Sequence, residues 1–218
     1  MAYDGVWIWA TGGCVQKIRA SDLFNFGCIS GPFVQPRAIA FDGSNMWITN
    51  SGSTTVTKVR ASDNVILGSF SVGQGPDGIA FDGANLWVTS FNAGTVTKLR
   101  ASDGANLGTF PGLLGPRGVV FDGQSIWVAQ STGASVTRLS LAGGVLATIP
   151  VGNGPVGLVF DGDAVWSANN GGNSATKIRI ADNSIVGTYA FPSNPSYGAF
   201  DGNHVWFSLI GNNTLIKR

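Results

Sequence analysis

Six aspartates occupy one place in a recurring triplet: Asp4, Asp42, Asp82, Asp122, Asp161 and Asp201. They are half of the 12 acidic residues, and there is no Glu. A ring of six carboxylates could bind cations around an axial channel. Each aspartate, however, precedes a Gly and lies between two apolar runs. That pattern marks an Asx turn, in which the carboxylate accepts a local backbone N–H and Gly supplies a positive φ. The turn is the stronger reading, and neither a metal nor another cofactor is expected.

Other reactive groups are few. His204 is the one histidine and falls in a turn, and Cys14 and Cys28 are the only cysteines. No nucleophile–base arrangement can be assembled from this set. The two cysteines lie on segments 14–19 and 24–29 of one hairpin. They read first as small buried hydrophobes and second as a cross-strand disulfide, which would point to an oxidising compartment. Arg19/Asp22, Arg60/Asp63, Arg100/Asp103 and Arg179/Asp182 recur together, and the fourth copy replaces both partners with Ser140 and Gly143. Such joint loss marks a structural ion pair across a turn.

The elements that must hold these residues are repeats. Phe41, Phe81, Phe121, Phe160 and Phe200 open Phe-Asp-Gly triplets, and Tyr3 opens a sixth, so the period is about 40 residues. Trp7, Trp47, Trp87, Trp127, Trp166 and Trp206 are assigned one common register as packing residues. Each unit divides into four short strand-like segments, A to D, at Gly, Pro, Asn or Asp. In the third unit these are 78–81, 85–90, 95–100 and 106–110. A and B are almost continuously apolar, as strands covered on both faces must be. C carries Lys and Arg and is placed further out.

Four-stranded antiparallel units repeated around an axis describe an all-β, six-bladed β-propeller. It is read as a single domain over 1–218, with units starting near 1, 39, 79, 119, 158 and 198. The last unit lacks its outermost strand. Strand C of that blade is expected to be an open edge, filled by another chain or by the continuation of a longer array.

Charged residues are only 11%, against roughly 25% in average proteins, and net charge is +1. No basic cluster calls for nucleic acid or an anionic membrane. The start shows no leader. Low charge and the cysteine pair tilt localisation towards the extracytoplasmic side without fixing it.

The pattern GPxGIAFDGxxLWVT…TVTKLRASDG over 75–104 resembles bacterial propeller repeats of the streptogramin (virginiamycin B) lyase-like group. It is also similar to NHL and YVTN repeats. Lyases of that group open a streptogramin B lactone with His and Glu side chains and a magnesium ion on the B–C/D–A loop face. The positions that align with those groups are Ala10, Asn50, Ser90, Gln130, Asn169 and Leu209 after strand B. Before strand A they are Arg37, Asp77, Arg117, Val156 and Ser196. None is His or Glu, so the catalytic residues do not carry over.

What differs between units is the B–C and D–A loops, while the A–B and C–D turns repeat almost verbatim. Divergent loops on a uniform scaffold are where specificity resides. Trp9, Arg37, Asn50, Asp77, Phe91, Arg117, Gln130 and Tyr197 are the candidate ligand contacts there. The chain is therefore read as a non-enzymatic binding or scaffold module for a small molecule, glycan or protein. The alternatives are a streptogramin-lyase-like enzyme and an amplified architectural repeat with no ligand. Self-association through the open edge is the expected partner mode.

Overall fold

The computed structural model describes all 218 residues. Blade one comprises β1 (Ala2–Tyr3), β2 (Trp7–Thr11), β3 (Val15–Arg19) and β4 (Asn25–Ile29); blade two, β5 (Pro36–Phe41), β6 (Asn45–Asn50), β7 (Thr55–Arg60) and β8 (Ile66–Ser71). Blade three has β9 (Pro76–Phe81), β10 (Asn85–Ser90), β11 (Thr95–Arg100) and β12 (Asn106–Phe110). Blade four has β13 (Pro116–Phe121), β14 (Ile126–Gln130), β15 (Ser135–Leu139) and β16 (Val145–Pro150). Blade five has β17 (Pro155–Phe160), β18 (Ala164–Asn169), β19 (Ser174–Arg179) and β20 (Ile185–Ala190); blade six, β21 (Pro195–Phe200), β22 (Val205–Leu209) and β23 (Thr214–Lys217). Every sheet is an antiparallel meander in chain order, five of four strands and the last of three. A 3-10 turn at Asn170–Gly172 is the one helical element. Met1–Pro111 and Gly112–Arg218 form two compact units of three blades each.

Within each unit the core lies between neighbouring blades. Ile39, Met46 and Ile48 of blade two pack with Trp9 and Val15 of blade one, and Trp47 and Val56 pack with Ile79, Leu86 and Val88 of blade three. The second unit repeats this, with Trp127 and Val136 against Leu158 and Val165. The innermost strands approach closely. A Cβ on Gly118 would sit 2.6 Å from the Val156 carbonyl, and one on Gly157 2.3 Å from that of Ser196. Only Gly lets those backbones meet.

Two sequence expectations are corrected here. The cysteines are not separate small hydrophobes: Cys14 and Cys28 form a disulfide, with Cα atoms 5.9 Å apart. Val15 pairs with Ile29 and Gln16 with Cys28, so Cys14 is the diagonal neighbour of Cys28 and within bonding reach. Strand C does lie further out than A and B, third of four in its sheet, but its charge does not mean exposure. Lys17 and Lys58 are 3% and 6% exposed, and strand D forms the rim, with Val65, Leu67, Val145 and Leu146 facing out.

Candidate binding face and the groups beneath it

The aspartate of each triplet organises its blade through two separate oxygens. Asp42 Oδ1 accepts the amides of Ser44 at 2.9 Å and Asn45 at 2.7 Å, closing the A–B turn around Gly43, whose φ is 97°. Asp42 Oδ2 accepts the Trp47 indole N–H at 2.8 Å. The same indole bond joins Asp82 to Trp87, Asp122 to Trp127, Asp161 to Trp166 and Asp201 to Trp206. Burial alone would raise the Asp42 carboxyl, but the indole and turn amides outweigh it and hold its pKa below the usual range. Asp201 lies on the surface, and its indole and amide donors take it down to about 2.

In blade one the partner of Asp4 Oδ2 is Trp9, at 2.8 Å, and not Trp7. Trp9 also pairs with Ala2 and Lys17, as Trp47 does with Ala40 and Lys58. Trp9 is therefore the register copy. It is 0% exposed, which leaves it no surface for a ligand, while Trp7 is half-buried beside Phe26. Spacing from the aspartate, five residues in all six blades, was the signal that separates the two.

A second group went unread in the sequence. Lys17 Nζ lies 4.7 Å from the Trp9 ring and donates to the Ala61 carbonyl at 2.8 Å and Asn64 Oδ1 at 3.0 Å, on the C–D turn of the next blade. Lys58 lies 4.9 Å from Trp47 and donates to the Ala101 and Ser102 carbonyls. Arg138 repeats this over Trp127, reaching Ile180 O and Asn183 Oδ1. Each cation thus ties its blade to the following turn. Burial lowers the Lys17 pKa, with Asp4 and Asp63 opposing.

The exposed pairs Arg60–Asp63 and Arg100–Asp103 bridge their C–D turns at 2.9 and 3.0 Å, and Arg19–Asp22 and Arg179–Asp182 at 3.4 and 3.3 Å. His204 sits in the last A–B turn, its Nδ1 3.9 Å from Asp201 Oδ2.

At the starts of β5 and β9, next to the D–A loops, Arg37 Nε meets Asp77 Oδ1 at 3.0 Å, with the carboxylate buried and the guanidinium exposed. Asn50 is wholly buried and donates to Thr55 and Thr57 Oγ1 at 3.0 and 2.9 Å. Phe91 is half-buried, its amide bonded to Gly75 O. In the second unit Gln130 is also buried: its Oε1 accepts the Leu114 amide at 2.7 Å and its Nε2 donates to Ser135 and Thr137. Arg117 Nε lies 3.3 Å from Ser131 Oγ. Tyr197 is 49% exposed. Arg37 and Tyr197 thus offer surface to a ligand, whereas Asn50 and Gln130 hold their hairpins together from inside.

Three concavities lie on the opposite, A–B/C–D turn face. One of about 510 Å³ is lined by Asp4, Trp7, Phe41 and Arg60, and one of about 360 Å³ by Asp42, Lys58 and Phe81. In the second unit Gln124, Arg138, Asp163 and Arg179 line one of about 670 Å³. All are open clefts between neighbouring blades, made from the repeated turn residues.

No protein-family model and no curated protein matches the chain. Solved structures do. A streptogramin B lyase structure is 20% identical, covering 99% of this chain and 80% of that one, with a TM-score of 0.80. A catalytically inactive virginiamycin B lyase from Staphylococcus aureus, with quinupristin, is 18% identical over 93% and 72%, also at 0.80. The fold is that of a six-bladed β-propeller. A nidogen/laminin complex is 16% identical, with a TM-score of 0.76 over 97% of this chain, so at these identities the likeness is one of fold alone.

None of the positions aligned with the lyase catalytic groups holds a His or a Glu. Asn50, Gln130 and Asn169, at the aligned positions, are buried amides whose N–H groups are spent on strand-C hydroxyls. No step through a metal follows from them.

Proposed function

We propose that this chain is a non-enzymatic binding or scaffold module whose contact surface is the B–C/D–A loops. The carrying observation is where its carboxylates go. Six hold the A–B turns and the indoles, four pair with arginines across C–D turns, and Asp77 pairs with Arg37. Eleven of the 12 acidic side chains thus have structural partners, which leaves little for general acid–base chemistry. The exposed Arg37 and Tyr197 stand at the starts of β5 and β21, beside D–A loops that vary from blade to blade, the positions at which a ligand would be read. The disulfide supports an extracytoplasmic setting.

Small-molecule and glycan arrays test this reading. A hit that Arg37→Ala or Tyr197→Ala removes, with unchanged unfolding, supports the loop surface; hits indifferent to both overturn it. Incubation with quinupristin, followed by chromatography, is expected to leave the lactone closed. Opening faster than in buffer favours the lyase reading instead.

A further inference from the structure

Trp7 is the one tryptophan outside the repeat register, and it stands where other blades hold a residue with a local task. It pairs with Arg19 as Asn45 pairs with Arg60 and Asn85 with Arg100. The Asn45 side-chain amide donates to both Asp42 oxygens at 3.2 and 3.1 Å, and Asn85 donates likewise to Asp82. Asp4 is satisfied without such an amide, by the Val6 and Trp7 backbone N–H groups at 2.9 and 2.6 Å and by the Trp9 indole. The turn uses the backbone of Trp7 and makes no use of its ring.

That ring lines the cleft of about 510 Å³ between blades one and two, together with Phe41, Ser44, Arg60 and Ser62. The corresponding cleft between blades two and three, where Asn45 takes its place beside Phe81, is about 360 Å³. The indole is held before any ligand arrives. Phe26 meets it edge-on with ring centroids 6.2 Å apart, and Lys17 Nζ and the Arg19 guanidinium lie 4.9 and 5.3 Å from its centre. A ring fixed in this way loses little freedom when something stacks on it.

The lining also states what would fit. Trp7 and Phe41 make an apolar wall, and the exposed Ser44 and Ser62 bring hydroxyls to the rim. The charges are compensated: Arg60 is bonded to Asp63 at 2.9 Å, and the Asp4 oxygens already accept three N–H groups. A charged ligand would find no unpaired counter-ion there. The turn backbones are paired as well, Asp4 N–H to Trp7 O, Asp42 N–H to Asn45 O and Ala61 N–H to Ser44 O. An extended peptide therefore has no ladder to join. What matches is a neutral ligand with one apolar face and a hydroxylated edge. A pyranose ring has that form, and the Arg60 guanidinium keeps N–H donors beyond the one spent on Asp63.

We propose that the cleft between blades one and two is a binding site for a neutral pyranose, its C–H face stacked on Trp7 and its hydroxyls bonded to Ser44, Ser62 and Arg60. The indole supplies affinity by covering the apolar face, and the rim supplies orientation. The volume lies within the range of small-molecule sites, about 300–1,000 Å³. This site is on the face opposite the loop surface and is independent of it.

Methyl glycosides of glucose, galactose, mannose and N-acetylglucosamine test it against the full chain, by calorimetry and saturation-transfer difference NMR. Saturable binding of at least one is expected, with a Kd of about 1 mM and the strongest transfer to its ring C–H protons. Trp7→Asn, which installs the residue of blades two and three, is expected to weaken binding by about tenfold or more with an unchanged circular dichroism spectrum. Trp7→Phe is expected to keep part of it. Absence of binding by every glycoside, or binding that survives Trp7→Asn, overturns the proposal. So does p-cresol binding as tightly as the best glycoside, which would make the cleft a site for flat aromatic rings. Loss on Tyr197→Ala instead of Trp7→Asn also overturns it and moves the sugar to the loop surface. With the cleft established, the loop surface is assayed on the Trp7→Asn chain, so that the two sites stand or fall separately.

Discussion

The Trp87 indole N–H donates to Asp82 Oδ2 at 2.8 Å, while Asp82 Oδ1 accepts the Ala84 and Asn85 amides at 2.9 and 2.6 Å. One carboxylate therefore sets the A–B turn and orients the fully buried Trp of strand B. Asp82→Asn retains a turn acceptor but presents an amide N–H₂ or a lone acceptor where three donors converge. A loss of about 1–3 kcal/mol is expected in urea unfolding. Asp103→Asn, in an exposed pair, is expected to cost about 0–1 kcal/mol. Equal losses would remove the distinction between the two classes of aspartate.

The same bonds fix an acid limit. Asp4, Asp42, Asp82, Asp161 and Asp201 all have folded-state pKa values below the ordinary carboxylate value. A depressed folded pKa means stability that is present above the unfolded pKa, near ~3.9, and lost as pH falls through the folded value. For Asp201 that value is about 2. The urea midpoint is expected to hold steady from neutral pH to about 4 and then fall towards pH 2. A midpoint that already drops between pH 7 and 5 would assign acid sensitivity to other groups.

Trp9 and Trp7 separate by the same logic. Trp9 is wholly buried against Ile39 and Met46, with its N–H satisfied by Asp4. Trp9→Ala is expected to cost about 3–5 kcal/mol, and Trp7→Ala, at a half-buried site, clearly less. The reverse order in thermal melts would restore Trp7 to the packing register.

How far the sequence reads depends on whether a residue acts within its repeat or across repeats. The four strands of blade three and the Asx turns were legible because turn chemistry and apolar runs are local. The lysines were not, because their partners lie more than 40 residues away on the next turn. Lys17 to Ala61 is such a pair, and within its own repeat a charged strand residue gives no sign of that partner. Trp7 masks Trp9 because blade one carries an extra Trp two residues before the register position. Asn50 and Gln130 sit at the end of strand B, where a loop was expected to expose them. Their amides instead turn inward to the strand-C hydroxyls, a choice fixed by sheet pairing.

Lys58 offers a direct measure of the cation between blades. Its Nζ satisfies the Ala101 carbonyl at 2.6 Å and that of Ser102 at 3.1 Å. Lys58→Met keeps the stem over Trp47 but strands those acceptors, and a loss of about 1–3 kcal/mol is expected. Lys58→Arg, the residue type that serves at Arg138, is expected to recover part of it. A neutral Lys58→Met would show that solvent already satisfies the turn.

Blade three contains an incomplete ladder. Where Asn50 bridges Thr55 and Thr57, Ser90 is too short, and the buried Ser90 Oγ and Thr95 Oγ1 have no partner. Gly152 stands beside Asn169 in blade five, where a Cβ would lie 2.6 Å from its Nδ2, and Gly73 stands in the same place beside Ser90. Ser90→Asn is therefore expected to bond Thr95 and Thr97 as Asn50 bonds Thr55 and Thr57. A gain of about 1 kcal/mol in urea unfolding follows from satisfying a buried hydroxyl. Ser90→Ala, which removes one orphan acceptor without filling the gap, is expected to change stability less. If Ser90→Asn instead destabilises the chain, the space beside Gly73 is already occupied by ordered water whose bonds the amide fails to replace.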